Sequence, residues 1–271
     1  MPSPTTMTAL QLSRRIGLPD APVILDVRIA EDIAADPRCL PGAIARDFRS
    51  VPAWAGDFAG RDVVTVCQKG LKQSEGVAAW LRHAGITAEK LEGGFEAWAA
   101  AQLPLVKPEH VPVLLAQGHT LWVTRARPKV DRIACPWLIR RFIDPGAVFL
   151  FVAASEVAAV ADRFGATPFD IEGVFWSHRG SLCTFDVMLD EFGLHTAVLD
   201  RLAMIIRGAD TARLDLAPEA AGLLAASLGL SRMYRDDLKQ LDAGLALYDA
   251  FYRWARDAVE ESHNWPGPRT P

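Results

Sequence analysis

The chain has 271 residues, 50% hydrophobic and 23% charged. That exceeds the ~100–200 residues usual for one domain and gives enough apolar material for two cores. A formal net charge of -4 and a pI near 5.9 argue against nucleic acid and acidic membranes as partners, so any bound anion must sit in a local site. No apolar run approaches the ~20 residues of a membrane span, and residues 1–7 show no secretory pattern. Cys39, Cys67, Cys135 and Cys183 lie far apart with no CxxC pair, which fits a reducing cytoplasm better than a disulfide framework.

Residues 7–16 carry helical spacing and stop at Gly17, with Pro19 beyond. Val23-Ile24-Leu25-Asp26-Val27 reads as a buried strand. A carboxylate near its C-terminal end needs a partner, so a hydrogen-bonded structural Asp26 is favoured over direct chemistry. Leu40-Pro41-Gly42-Ala43-Ile44 is a turn followed by a short apolar segment. Residues 62–66 form a strand that ends on Cys67. After the loop Gln68-Lys69-Gly70-Leu71-Lys72-Gln73, a helix starts at Ser74 or Glu75 and ends near Gly85, with Val77, Trp80, Leu81 and Ala84 on one face. Residues 88–91 make a short strand, Gly93-Gly94 a turn, and 95–101 a helix stopped before Pro104. The alternation of strand and helix implies a parallel sheet.

A cysteine between a buried parallel strand and a helix N-terminus sits where ligands bind in α/β sheets. Loop amides, the helix dipole, Lys69 and Lys72 all favour an anion there, including the thiolate of Cys67 itself. The alternative is a buried inert thiol, against which the two nearby cations speak.

The segments Val-Ile-Leu-Asp-Val-Arg (23–28), Leu-Pro-Gly-Ala-Ile (40–44), Val-Cys-x-x-Gly (66–70) and Glu-Gly-Gly-Phe-Glu-Ala-Trp (92–98), in that order, resemble the landmarks of the rhodanese domain over roughly residues 8–107. The resemblance implies a rhodanese-like parallel five-stranded α/β sheet flanked by helices. It also implies a catalytic Cys67 that carries sulfane sulfur as a persulfide, a substrate loop from Gln68 to Ser74, and Asp26 and Arg28 in support. Many sulfurtransferase loops resemble Cys-x-x-Gly-x-Arg-Ser. Here the serine comes one place later, so a loop longer by one residue is expected, in the direction of the phosphatase and arsenate-reductase relatives. Those relatives clamp a tetrahedral anion with an arginine. Lys72 and Gln73 stand here instead, which counts against phosphatase chemistry and against efficient use of thiosulfate.

Pro104, Pro108 and Pro112 mark a linker, taken as 108–119 after a first domain of 1–107, and Leu114-Leu115 offers a docking point. A second domain, 120–262, opens with a candidate strand at 121–124. Residues 125–144 hold six basic residues against two acidic. Pro136 suggests a helix starting nearby, packed through Trp137, Leu138 and Phe142. This stretch, with residues 165–171, 178–186, 207–211 and 247–254, resembles the chromate-resistance (ChrB-type) C-terminal domain over roughly 120–257. The resemblance implies a role in chromate stress without naming a reaction, and a mainly helical α+β domain is expected.

In that domain the irregular backbone around Pro128 is suited to aim Arg127, Lys129 and Arg132 at one oxyanion; solvated or ion-paired arginines are the alternative. His178-x4-Cys183-x2-Asp186 offers His178 and Asp186 to iron, manganese or zinc, with Asp170 or Glu172 in addition; a hydrogen-bonded surface histidine is the alternative. Beyond that metal no cofactor is called for. His195 reads as a polar cap. Residues 198–207 form a helix closed by Gly208, and another runs from Pro218 to near Gly229. The longest pattern spans 231–259, with Leu238, Leu241, Leu245, Tyr248 and Tyr252 as its seam. Asp236, Asp237 and Asp249 are expected to be solvated or ion-paired, Asp249 near the basic cluster. The tail 263–271 is expected to be disordered.

The leading expectation is a cytoplasmic sulfurtransferase that takes sulfur from a sulfane donor such as thiosulfate and passes it to a thiol acceptor, with neither nucleic acid nor membrane as partner. Chromate is a tetrahedral dianion of similar shape, so the same cradle admits it, and thiol-dependent chromate reduction is an extension. The alternatives are an oxidant- or oxyanion-sensing regulatory module, and metal-dependent chemistry in the second domain. The sequence offers no helix-turn-helix signal for reading DNA.

Overall fold

Residues 5–115 and 118–261 are described in the computed structural model. The expected disordered tail, 263–271, lies outside them. The first part runs β1 (Thr6–Met7), α1 (Ala9–Ser13), β2 (Val23–Asp26), α2 (Ala30–Ala35), β3 (Ala43–Ala45), α3 (Val51–Trp54), β4 (Val63–Val66), α4 (Lys72–His83), β5 (Ala88–Leu91) and α5 (Gly94–Ala100). All pairings are parallel, in the order β1-β5-β4-β2-β3. The central β4 is buried at all its positions, because helices cover both faces of such a sheet. Its Thr65 hydroxyl donates to Ser74 O at 2.8 Å, tying the first turn of α4 to the strand.

After a short turn at Pro108–His110, the second part runs β6 (Leu121–Arg125), α6 (Asp131–Leu138), β7 (Val148–Val152), α7 (Val157–Phe164), β8 (Thr167–Pro168), α8 (Thr184–Phe192), α9 (Ala197–Asp210), α10 (Ala220–Met233) and α11 (Asp237–Asp257). Its small parallel sheet has the order β7-β6-β8. The chain therefore joins a five-stranded parallel α/β sheet flanked by helices to a mainly helical region with a three-stranded sheet. No helix among the described residues is long and apolar enough to cross a membrane.

Several local expectations give way. Met7 is in a strand, and α1 begins at Ala9 behind a Thr8–Gln11 capping box. Trp80 is 47% exposed, although its neighbours Val77 and Leu81 are buried. Pro136 lies inside α6 rather than at its start. It has no N–H to donate, and three residues later the helix widens into a π turn, Ile139–Ile143. Gly208 does not stop α9: an added Cβ there would lie 2.9 Å from Ala220 Cβ, so glycine serves close packing of α9 on α10. Gly229 is likewise internal to α10. The 231–259 pattern breaks between Met233 and Asp237, and Leu238 is 54% exposed, while Leu241, Leu245, Tyr248 and Tyr252 are buried. Thr196, not His195, caps α9; His195 bridges Asp200 and Asp190 at 2.7 and 2.8 Å.

One apolar core crosses from the first part into the second, including Leu12, Ile16 and Trp98 from one side and Trp137, Phe142 and Tyr252 from the other. Gly42 N–H donates to Phe142 O at 2.6 Å, and Arg256 donates to Arg14 O at 2.7 Å. The tightest approach is at Gly17, with φ +83°, where a Cβ would lie 2.6 Å from Phe142 Cζ and 2.7 Å from Tyr252 Cε1. Gly17→Ala meets both a backbone penalty and two rigid rings, so it is expected to cost about 1–3 kcal/mol. A lower urea midpoint at unchanged slope would register this loss; an unchanged midpoint would contradict it.

Candidate functional site

Cys67 follows β4 directly and is 3% exposed. Its carbonyl accepts from Phe95 N–H and that of Gln68 from Glu96 N–H, both at 3.0 Å, so the start of the loop supplies the acceptors for the N-terminus of α5. Gly70 (φ +63°) and Gly94 (φ +60°) meet at this contact, and a Cβ on Gly70 would lie 2.7 Å from Gly94 N. Only glycine fits both positions. Residues 68–71 donate no amide hydrogen bond among the described residues. Leu71 caps α4 without a side-chain bond, which leaves that helix N-terminus open to an anion as well.

The displaced serine belongs to α4, which starts at Lys72 rather than at Ser74 or Glu75. Ser74 is fully buried; its Oγ lies 3.1 Å from Cys67 Sγ and donates to Leu71 O at 3.2 Å. Lys69, Leu71 and Lys72 are exposed and Gln73 half-buried. Lys72 and Gln73 line a cavity of about 510 Å³ with Ile29, Phe48, Arg49 and Trp80. Arg49 stands over the Phe48 ring at 4.9 Å and had no sequence signal. It brings to this cavity the guanidinium that the loop lacks.

Asp26 and Arg28 form a closed pair. Arg28 Nε donates to both Asp26 oxygens at 3.1 and 2.9 Å, and its Nη1 and Nη2 donate to Asp36 O and Arg38 O. The guanidinium stacks 4.1 Å above the Phe95 ring. Asp26 is thus hydrogen-bonded structure, and through Phe95 the pair braces α5 under the cysteine loop. The other cysteines are unsuited to nucleophilic work. Burial pushes the Cys39 thiol up to about 11 and those of Cys135 and Cys183 well above the ordinary thiol range.

In the second part, Arg127 and Lys129 line one cavity but Arg132 does not join them. Arg127, in left-handed backbone (φ +59°), turns onto the end of α10, donating to Tyr234 O at 2.9 Å and to Ser231 O, while its own amide donates to Asp237. Those carbonyls are the orphan acceptors of a helix C-terminus, which favours a guanidinium. Lys129 is exposed and lines one cavity with Arg127 and Arg232. Arg132 turns inward, its Nε 3.2 Å from Asp170 Oδ2. Asp236 caps α11, and Asp249 holds Arg141 by two bonds of 2.8 Å and Trp137 Nε1 by another.

The pair His178–Asp186 is also not formed. Asp186 accepts from Cys183 N–H at 3.0 Å and pairs with Arg207 at 3.2 Å, so the 183–186 spacing is a helix cap rather than a ligand pattern. Glu172 is exposed. His178 Nε2 instead lies 3.1 Å from Asp210 Oδ2, 3.5 Å from Asp170 Oδ1 and 3.6 Å from Asp131 Oδ2. Donor atoms of Asp131, Asp170 and His178 fall within 4.8 Å of one another. Burial, and the neighbouring charges of Asp210 and Asp170, push the Asp131 carboxyl well up; burial and Asp170 raise Asp210. The hydrogen bond to Asp170 raises His178.

A model of the rhodanese-like domain matches residues 8–101, and one of the ChrB C-terminal domain matches residues 122–255. Over 132 residues the chain is 38% identical to Protein ChrB of Cupriavidus metallidurans, a match covering 48% of this chain and 39% of that protein. The chain thus spans well under two thirds of that relative. Among solved structures, a rhodanese-like domain protein from Staphylococcus aureus is 30% identical, covering 35% of this chain and 90% of the other with a TM-score of 0.31. A protein from Staphylococcus saprophyticus is 26% identical, covering 34% and 91% with a TM-score of 0.31. Residues 8–101 are a rhodanese-like domain and residues 122–255 a ChrB C-terminal domain, joined in one chain.

Proposed function

We propose that the chain is a sulfurtransferase that carries sulfane sulfur on Cys67, in a cytoplasmic setting linked to chromate resistance. The observation that supports this reading is a Cys67 thiol at the end of a buried strand, 3.1 Å from Ser74 Oγ in the first turn of α4, a helix whose N-terminus carries no side-chain cap. The Cys67 thiolate attacks the outer sulfur of thiosulfate or a similar donor. A Cys67 Sγ–S bond forms, the donor's S–S bond breaks, and sulfite leaves with the electron pair. A thiolate acceptor then attacks the outer sulfur of the persulfide, giving an acceptor persulfide and returning the Cys67 thiolate. The amides of residues 68–71 and the α4 dipole stabilise the sulfur anion at both stages. Arg49 and Lys72, which line one cavity at the start of α4, hold the donor's oxygens. Chromate has the same charge and shape class, so it is expected to compete for that cradle.

Mass spectrometry after incubation with thiosulfate is expected to show one added sulfur on the peptide containing Cys67, with cyanide-dependent turnover. Cys67→Ser should lose both. No persulfide and no turnover with several sulfane donors would refute the reading. Arg49→Met is expected to reduce kcat/KM for thiosulfate about tenfold, ~1.4 kcal/mol, mainly through KM, because it removes a donor contact and leaves the nucleophile in place. An unchanged kcat/KM would exclude Arg49 from the cradle.

A further inference from the structure

The cluster of Asp131, Asp170, His178 and Asp210 has no part in sulfur transfer at Cys67. We infer that Asp131, Asp170 and His178 bind a divalent first-row transition-metal ion of the Mn²⁺ or Fe²⁺ class, with Asp210 beside the imidazole. The donor set is one imidazole nitrogen and two carboxylate oxygens. Carboxylates suit Mn²⁺ and the imidazole draws iron or zinc, so the mixture favours ions between hard and borderline.

The spacing fits an ion held by Asp131, Asp170 and His178, whose donor atoms lie within 4.8 Å of one another, with Asp210 against the imidazole from outside that group. Metal–ligand bonds of about 2.0–2.2 Å put neighbouring donors about 3.0–3.5 Å apart in octahedral or tetrahedral sites. The three carboxylate oxygens stand 3.1, 3.5 and 3.6 Å from His178 Nε2. One imidazole N–H cannot donate well to three carboxylates at once, whereas one cation can satisfy them all.

A second observation concerns Asp131. It is fully buried; its Oδ2 accepts from Thr184 N–H at 2.5 Å and Phe185 N–H at 3.3 Å, while Oδ1 has no hydrogen-bond partner. A buried carboxylate is costly unless its oxygens meet donors or a cation. The other ligands are aimed from behind, as metal ligands generally are. Thr184 Oγ1 donates to Asp170 Oδ1 at 2.9 Å, and Asp131 N–H donates to Asp210 Oδ1 at 3.4 Å. Arg132 and Arg125 approach Asp170 through Oδ2, at 3.2 and 3.6 Å, and leave Oδ1 facing His178. The half-exposed His178 side chain gives the ion a way in from solvent.

The full chain would be stripped with chelator, dialysed and titrated with Mn²⁺, with free Mn²⁺ followed by electron paramagnetic resonance. About one equivalent is expected to bind, and Mn²⁺ should raise Tm in a concentration-dependent way. His178→Ala and Asp170→Asn should weaken binding by more than about tenfold and lose the Tm response, with circular dichroism confirming that they fold. Glu172→Gln should bind as the parent does. Cys67→Ser should too, which separates this site from the sulfur site. The inference is overturned if Mn²⁺, Fe²⁺ under anaerobic conditions and Zn²⁺ all fail to bind stoichiometrically. It is equally overturned if folded His178→Ala binds as tightly as the parent; the cluster is then a histidine–carboxylate ion-pair group and nothing more.

Discussion

The clasp between the cysteine loop and α5 governs the first domain. Cys67 and Gln68 give their carbonyls to the amides of Phe95 and Glu96, and two glycines with positive φ let the backbones touch. The carbonyls of Cys67 and Gln68 thereby face α5, and the N–H groups of residues 68–71 are left without a partner among the described residues. The same helix is braced from its other side, because Phe95 lies under the Arg28 guanidinium and Arg28 is locked to Asp26. The cradle around the thiol therefore depends on β4, on α5 and on a buried ion pair at the end of the neighbouring strand β2, where Asp26 stands in register with Val66. Loosening any of them would blur a site that needs its donors fixed before the donor anion arrives.

The second domain is built onto this scaffold rather than tethered to it. Trp137 packs against Phe142, Phe185, Tyr248 and Tyr252, and the last of these reaches Gly17 in the first domain. The segment 131–143 links two places. At its start Asp131 enters the carboxylate–histidine cluster, and at its end Phe142 enters the shared core. A large apolar contact of this kind opposes free relative motion of domains.

What the sequence disclosed follows from how local each signal is. Long apolar runs mark β2 and β4, and a strand ending on cysteine marks Cys67, because those patterns are read within a few residues. β1 has two residues and no period to read. The serine looked like part of the loop because no capping side chain announces that α4 starts at Lys72. Arg49 reaches the cavity from a single 3-10 turn, Phe48–Ser50, too short for its spacing to be read. In the second domain the real neighbours of His178 come from residues 131, 170 and 210, on three separate elements or loops. Asp186 was the more legible candidate because it sits close by in sequence, but three residues after Cys183 is also where a helix cap belongs.

The two groups of buried charge invite opposite conclusions. Asp26 and Arg28 are closed: each Asp26 oxygen meets the guanidinium, and the remaining guanidinium nitrogens meet carbonyls. Such a pair needs no ligand. Around His178, by contrast, three carboxylates crowd one imidazole, and Asp131 is held by the amides at the N-terminus of α8 with an oxygen still unmatched. The backbone is bent to build it: Val130, next to Asp131, has φ +27° and Asp170 has φ +51°. Positive φ at a β-branched residue is costly and persists only where its surroundings enforce it. Apolar residues of similar volume would stabilise the fold at least as well as these charges. The arrangement is better explained by a cation it could hold than by stability it contributes.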